Sequence, residues 1–342
     1  MPNKKKILVT GGAGYIGSHT VLLLLENNFD VIVLDNLSNS SKESLIRVEK
    51  ITKKSIDFIQ GDLRNINILK KLFNENEVHA VIHFAGLKAV SESIIRPLEY
   101  YDNNFVGSLN LLKTMSESNV HRIIFSSSAT VYGTKLKAPY KETDPLGECS
   151  NPYGTIKKNT EQLFSDYSKS NKNFKCVCLR YFNPIGAHSS GLIGENPSDT
   201  PNNLMPFITK VAIKKIDKLS IFGGNYNTLD GTCRRDYLHV MDLADGHIKA
   251  LTFLESVSGV EFFNLGTGNP ISVLEVVNAF ELINKIKIPY QIGLKRDGDL
   301  AEFWADTTKA NKKLNWKAKK NINDMVADSW KWQKNNPDGY SS

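Results

Sequence analysis

Ile7-Leu8-Val9-Thr10-Gly11-Gly12-Ala13-Gly14-Tyr15-Ile16-Gly17 decides how the rest of the chain is read. A short apolar run ends at Thr10, spaced glycines follow, and helical spacing begins at once over 18–25. Gly12, Gly14 and Gly17 fit the pattern G-x-G-x-x-G, and Gly11, Gly14 and Gly17 fit a tighter variant. Such glycines allow a tight turn off a strand, close approach of backbone N–H groups to a pyrophosphate, and close packing of helix on strand. Glycines alone are weak evidence, because ordinary strand–helix turns also use them. The confirming context is a second strand ending in an acid about twenty residues on. Val31-Ile32-Val33-Leu34-Asp35 supplies it. A carboxylate there accepts hydrogen bonds from both ribose hydroxyls and repels a 2′-phosphate. Asn36 and Leu37 follow, with no Arg to hold such a phosphate, so the cofactor reads as NAD rather than NADP.

Outward from this unit, apolar strands read at Lys6–Thr10, 30–34, 55–60, 80–85, 122–127 and Lys175–Tyr181, with helical patterns between them, clearest at 98–118 and 153–169. Strand–helix alternation over this length predicts an α/β, Rossmann-type, doubly wound parallel sheet covered on both faces. Ligands of such sheets lie at the carboxyl ends of the strands, where Gly12, Asp35, Asp62, Gly86 and Ser128 fall. After Asn183 a Gly/Pro/Ser/Asn-rich tract (183–203) leads into short mixed elements and helices near 240–254, 272–284 and 322–333. The expectation is an NAD-binding domain over 1–184 and a smaller mixed α/β substrate domain over 185–342, with elements free to cross the boundary.

Composition excludes several classes. With 342 residues, 41% hydrophobic and 23% charged, the chain has the balance of a globular protein with ample core. No apolar run approaches the eighteen or so residues of a membrane span. The basic start Lys4-Lys5-Lys6 is followed by an apolar stretch that glycines break within a few residues, which is no signal peptide. Cys149, Cys176, Cys178 and Cys233 lack C-x-x-C spacing, and Cys176 and Cys178 alternate within an apolar strand. Buried free thiols in a reducing compartment, the cytoplasm, follow. His79 and His83 have the spacing of a helical metal pair, but on a strand they would lie about 13 Å apart, so no metal is expected. The net charge is +7. Its lysine pairs are scattered and not interleaved with aromatic residues, which reads as a solvated surface rather than a nucleic-acid platform. A positive field favours a small anionic substrate.

Ser126-Ser127-Ser128 ends one strand, and Tyr153-Gly154-Thr155-Ile156-Lys157 opens a later helix. Tyr and Lys four apart share a helix face. A close ammonium is expected to lower the Tyr153 pKa from its usual value near 10 toward working pH. The phenolate can then take a proton from a substrate hydroxyl, with Ser128 holding the same oxygen. With 12 Tyr and 35 Lys in 342 positions, about one Y-x-x-x-K arises by chance. The pair carries weight through its place after the nucleotide unit and the strand-terminal serine.

At these residues the chain resembles the extended short-chain dehydrogenase/reductase family, and within it the nucleotide-sugar 4-epimerases. The resemblance runs through 10–18 (TGGAGYIGS), 83–90 (HFAGLKAV), 97–104 (PLEYYDNN), 125–133 (FSSSATVYG), 179–184 (LRYFNP), 201–206 (PNNLMP), 235–246 (RDYLHVMDLADG) and 298–306 (GDLAEFWAD). It implies NAD contacts from Gly11, Gly14, Tyr15, Ile16, Gly17, Asp35, Asn36, Asp62, Leu63, Phe84, Ala85, Gly86, Lys88, Asn103 and Lys157. Tyr153 would be the base, with Ser128 beside it. A UDP-sugar would be held by these two and by Asn183, Asn203, Leu204, Phe222, Arg235, Arg296, Asp299 and Phe303. Arg235 and Arg296 make sense as paired cations for a diphosphate. The implied reaction interconverts UDP-glucose and UDP-galactose through a transient 4-keto sugar, in a homodimer joined by the 98–118 and 153–169 helices. Two departures stand out. Cys233-Arg234 replaces the small Gly-Val type pair usual before the Arg of that loop, and Phe303 stands where many members carry Tyr.

Rival readings stay in the same fold. A nucleotide-sugar dehydratase needs an acid and a base directly after the catalytic Ser, where this chain has Ala129-Thr130. A decarboxylase or a UDP-glucuronate epimerase needs a cation for the C6 carboxylate, and none is identifiable. A UDP-N-acetylglucosamine 4-epimerase would use the same machinery with a roomier sugar pocket. A non-catalytic NAD-sensing regulator would typically lose Tyr153 or Lys157, and both are kept.

Overall fold

Lys6–Thr10 forms β1, an interior strand of a seven-stranded sheet that also contains β2 (Asp30–Asp35), β3 (Asp57–Gln60), β4 (Val78–His83), β5 (Arg122–Ser128), β6 (Lys175–Tyr181) and, from much later in the chain, β11 (Gly259–Leu265). Their order across the sheet is β11-β6-β5-β4-β1-β2-β3. The pairs β1–β2, β1–β4, β2–β3 and β4–β5 are parallel, with Leu8 opposite Ile32 and Val81 in register. The computed structural model describes residues 5–197, 201, 203–296 and 298–340; the basic start through Lys4, and Asn202 of the 201–206 stretch, lie outside them. The chain divides into two units. One comprises Met1–Gly133, Pro145–Arg180 and Ala244–Phe263, and the other Thr134–Asp144, Tyr181–Leu243 and Asn264–Ser342.

In the first unit the helices are α1 (Tyr15–Glu26), α2 (Lys42–Thr52), α3 (Ile66–Glu75), α4 (Val90–Ile95), α5 (Pro97–Tyr100), α6 (Gly107–Glu117) and α7 (Pro152–Ser170). The core under α3, α6 and α7 is built from Leu8, Ile32, Leu69, Leu111, Met115, Phe125 and Phe164, all buried. Strands buried on both faces need continuous apolar runs, which is why β1 and β2 read as ILV and VIVL.

The 98–118 stretch is helical as expected, with a π-helical turn, Tyr101–Val106, between α5 and α6. The Asn104 side chain turns to the backbone of Leu87, accepting from its N–H at 2.8 Å and donating to its carbonyl at 2.9 Å. The Ser108 hydroxyl takes the Asn104 carbonyl at 2.5 Å, competing with the helix's own ladder. The fourth strand ends at His83 rather than 85, because the N–H groups of Phe84 and Ala85 both donate to the Thr10 carbonyl and bend the chain off the sheet edge.

The second unit contains β7 (Asn183–Ile185), α8 (Leu204–Ala212), β8 (Leu219–Phe222), β9 (Arg234–Arg235), β10 (Tyr237–His239), β12 (Ile271–Ser272), α10 (Val273–Asn284), β13 (Tyr290–Gly293), β14 (Glu302–Phe303), α11 (Thr308–Leu314) and α12 (Ile322–Asn335). The helix α9 (Val240–Phe253) runs from this unit into the first. The core here holds Met205, Ile208, Ile221, Tyr237, Val277, Phe280 and Val326. Three short ladders organise it: β7 with β10, β8 with β13, and β12-β9-β14. The Cys233-Arg234 departure leaves the backbone regular. Cys233 is buried, the Arg234 N–H donates to Ala301 at 2.7 Å, and the Arg234 side chain pairs with Glu302 at 2.7 Å.

Candidate active site

The glycine loop shows which of its two sequence frames carries the turn. Gly11 has φ +70°, and a Cβ on it would lie 2.6 Å from the amide nitrogen of Ala85. On Gly17, inside α1, a Cβ would run into the Gly11 carbonyl and lie 2.8 Å from Gly12 Cα. The first therefore needs glycine for its backbone and the second for helix–strand contact. Gly14 caps α1 in an extended conformation with no side-chain cap, its own N–H on the Gly11 carbonyl at 3.3 Å, so no cap side chain takes up the first N–H groups of the helix. Tyr15 and Ile16 are the first two residues of that helix.

Asp35 ends β2 and is buried. Its Oδ2 accepts from the Ala13 N–H at 3.0 Å, and its Oδ1 accepts from the Leu37 N–H and the Ser40 hydroxyl, both at 2.9 Å. The carboxylate is thus fixed against the glycine loop. Asn36 donates to Asp62 at 2.9 Å. Arg64 grips Asp62 through two N–H groups and holds its carboxyl well below the usual carboxylate range. Leu63 is buried against Gly107. Phe84 stacks near His247 at 4.7 Å; Ala85 lies under the glycine loop, Gly86 beside the Asn104 side chain, and Lys88 is exposed. Asn103 sits in the π turn, donating to Asn104 at 2.8 Å. A helix N-terminus without a side-chain cap and a fixed carboxylate at the second strand end fit a dinucleotide.

His83 ties these loops together. Its Nδ1 meets the Thr10 hydroxyl at 2.7 Å and its Nε2 the Ser108 hydroxyl at 2.8 Å. Because Ser108 gives its proton to Asn104, it accepts from Nε2–H, and Nδ1 accepts from Thr10. Burial pushes the His83 pKa down to about 3, so the ring is neutral.

Ser128 ends β5, and its hydroxyl favours the ionised form of Tyr153. Its Oγ also accepts from the Thr130 hydroxyl at 3.0 Å. Tyr153 stands in the first turn of α7, capped by Asn151 through the Gly154 N–H at 2.8 Å. Lys157, one turn on and buried, donates to the Ser126 carbonyl at 2.5 Å. The pKa expectation for Tyr153 is reversed. Burial pushes it up to about 12, opposed by the Ser128 hydroxyl. Burial also brings Lys157 down to about 8, with Glu161 and Cys178 opposing.

In the second unit, Asp299 joins two cations: Oδ1 accepts from Arg235 at 3.3 Å and Oδ2 from Arg296 at 2.9 Å. Arg296 lies over the Phe222 ring at 4.8 Å. Phe303 is the register partner of Arg235 across β14–β9, and its ring packs on Tyr140 at 4.8 Å and Phe182 at 5.2 Å. Asn183 starts β7, its N–H on the Asp236 carbonyl at 2.9 Å. Asn203 caps the start of α8, of which Leu204 is the first residue, and donates to Glu195 at 2.8 Å. Arg235, Arg296, Asp299, Phe222 and Phe303 are thereby brought into one cluster; Asn203 and Leu204 reach it only through the packing of α8 on β8. Among the described residues no group of His, Cys, Asp and Glu could hold a metal ion, and no helix is long and apolar enough to cross a membrane.

Sequence reading missed Glu161, buried one turn beyond Lys157 and paired with Arg180. The available signal was an acid continuing the Tyr153, Lys157 face at the next i+4, together with an Arg inside the apolar strand 175–181.

The family model for the NAD dependent epimerase/dehydratase family matches residues 7–266. A UDP-glucose 4-epimerase of Erwinia amylovora is 55% identical over 98% of this chain and 99% of its own. The crystal structure of UDP-glucose 4-epimerase from Bifidobacterium longum in complex with NAD+ and UDP superposes with a TM-score of 0.95 at 49% identity, covering 98% of this chain and 100% of that one. The enzyme from Stenotrophomonas maltophila, with bound NAD and formylated UDP-arabinopyranose, gives 0.95 at 44% identity over 97% and 99%.

Proposed function

Because the chain belongs to the NAD dependent epimerase/dehydratase family, we propose that it catalyses the NAD-dependent 4-epimerisation of UDP-glucose and UDP-galactose. The observation that carries this reading is Lys157 one turn beyond Tyr153 on α7, anchored on the Ser126 carbonyl near the strand-terminal Ser128, in the unit that bears the glycine loop. In the first unit the loop from Gly11 to Gly17, Asp35, Asn36, Asp62, Leu63, 84–88, Asn103 and Lys157 hold the cofactor. In the second, Asn183, Asn203, Leu204, Phe222, Arg235, Arg296 and Asp299 hold the nucleotide-sugar. NAD, bound there, would supply the hydride acceptor and donor for C4 of the sugar by way of a 4-keto sugar, and its cationic ring would favour the phenolate.

Tyr153 takes the proton of the sugar 4-hydroxyl and gives it back after the ring has turned, so one residue serves as base and then acid. Ser128 holds the same oxygen and fixes the phenol. Lys157, anchored on Ser126, keeps a positive charge beside the pair. Arg235 and Arg296 offer two guanidinium forks to a diphosphate, with Asp299 holding them in place until it arrives. Gripping the nucleotide end and leaving the sugar loosely held permits the turn.

Exposed apolar side chains at Leu98, Tyr101 and Val106 support a homodimer through the 98–118 and 153–169 helices, and the four free thiols support a cytoplasmic setting. The deciding experiment is NMR of UDP-galactose with purified protein and no added NAD. UDP-glucose should appear; a protein that binds NAD yet leaves the sugar unchanged would be a sensor instead.

A further inference from the structure

The ends of β5, β6 and α7 meet in one buried polar network within the first unit. Glu161 is 1% exposed. Its Oε1 accepts from the Ser127 hydroxyl at 2.5 Å and from Arg180 Nε at 3.0 Å, and its Oε2 accepts from Arg180 Nη2 at 2.8 Å. Arg180 gives a further N–H to the Tyr132 hydroxyl at 3.0 Å, and its guanidinium lies over the rings of Tyr132 and Phe262 at 5.0 and 4.7 Å. A buried ion pair is often no more stabilising than an apolar pair of the same volume, so stability alone is a weak reason for it.

Its position supplies a better reason. Glu161 is one turn beyond Lys157 and two beyond Tyr153 on α7. Ser127 stands between Ser126, whose carbonyl holds the Lys157 ammonium, and Ser128 at the strand end, whose hydroxyl favours the Tyr153 phenolate. One carboxylate therefore grips the strand residue flanked by both contact points of the catalytic pair.

We propose that Glu161 is a positioning residue for Tyr153 and Lys157: through Ser127 it sets the end of β5 against α7, and it places the network's negative charge on the face of the helix that carries Lys157. This rests on the proposed epimerase reaction. The groups around Lys157 are Tyr153 and Glu161 on α7, neutral His83 on β4, the Phe125 ring on β5 and the buried Cys178 thiol on β6. Arg180 faces Glu161 and is charge-paired with it. Of these, Glu161 is the carboxylate that favours the ammonium against its burial.

Glu161→Gln alone would leave Arg180 charged and unpaired, so the test protein is Glu161→Gln/Arg180→Met. Ser127→Ala, which leaves both charges in place, is its companion. With the protein as purified, two readouts are followed: the titration of the Lys157 side chain by NMR, and kcat and KM for UDP-galactose against pH. The double replacement should lower the Lys157 titration and the alkaline limb of kcat together, by about one pH unit. Ser127→Ala should lose about tenfold in kcat with KM within about twofold. The proposal is overturned if Lys157 titrates as in wild type in the double variant, or if Ser127→Ala keeps full kcat. Should the double variant not fold, the Ser127→Ala result decides alone. Wild type that converts no UDP-galactose would count against the reaction, while the Lys157 titration would still judge the positioning.

Discussion

The ammonium of Lys157 lies 5.7 Å from the centre of the Tyr153 ring, with its short hydrogen bond going to the Ser126 carbonyl. Lys157 thus stands beside Tyr153 with its ammonium tied to the strand. Its own pKa, down from 10.5 to about 8, has a consequence for stability. Below about pH 8 both folded and unfolded chains carry the charge, and the folded one bears the full cost of burying it. Between about 8 and 10.5 the unfolded chain binds more protons, so this residue's contribution to stability improves as pH rises. Thermal melts of wild type and Lys157→Met at pH 8 and pH 10 should show wild type gaining about 2–3 kcal/mol relative to the variant. A constant difference would mean Lys157 titrates normally.

Tyr153→Phe removes only the hydroxyl that meets Ser128. Turnover of UDP-galactose should fall by about 10²–10⁴-fold with little change in melting temperature. Retention of a tenth of the activity would place the base elsewhere.

Asp35→Ala should weaken NAD by about tenfold or more while NADP loses less, because the ribose hydrogen bonds and the repulsion of a 2′-phosphate go together. The substitution also frees the Ala13 and Leu37 N–H groups and the Ser40 hydroxyl. A loss of about 1–3 kcal/mol in stability should accompany it. Cofactor affinities by calorimetry, beside a denaturant titration, separate the two effects.

Arg296→Ala removes one of two cations on Asp299 and the cover over Phe222. KM for UDP-galactose should rise about ten- to a hundredfold, with kcat nearly unchanged, since the nucleotide end is bound alike in ground and transition states. A fall in kcat at constant KM would contradict a purely binding role.

Phe303 packs its ring on Tyr140 and on Phe182. A ring of this width should exclude a 2-acetamido group, so UDP-N-acetylglucosamine should be a poor substrate. Phe303→Cys should admit it, with epimerisation of the acetylated sugar rising at least tenfold relative to UDP-glucose. If wild type already handles both sugars alike, or the Cys variant gains nothing, Phe303 is core packing.

The nucleotide unit was legible because its signals are local: a buried parallel strand must be an apolar run, and Gly11 and Gly17 are each dictated by one close contact. The two arginines of the second unit were legible only through resemblance, since nothing in their spacing reveals that Asp299 gathers both. The π turn escaped because Asn104 is held by Leu87, seventeen residues earlier, and helical periodicity carries no trace of such a contact. The reversed shift at Tyr153 escaped for a different reason. A Tyr–Lys spacing states which charges are near, whereas burial, here the larger effect, belongs to the assembled fold.

The late arrival of β11 bears on how the chain is made. Strand β6 is finished at residue 181, and its outer neighbour in the sheet begins at residue 259. At synthesis rates of about 5–20 residues per second, the edge of β6 waits some 4–16 seconds for its partner. For that interval a nascent chain presents an apolar strand, KCVCLRY, with one row of amides and carbonyls unpaired. Ribosome-bound chains halted between 181 and 259 should recruit chaperones or aggregate, and chains released past 265 should not.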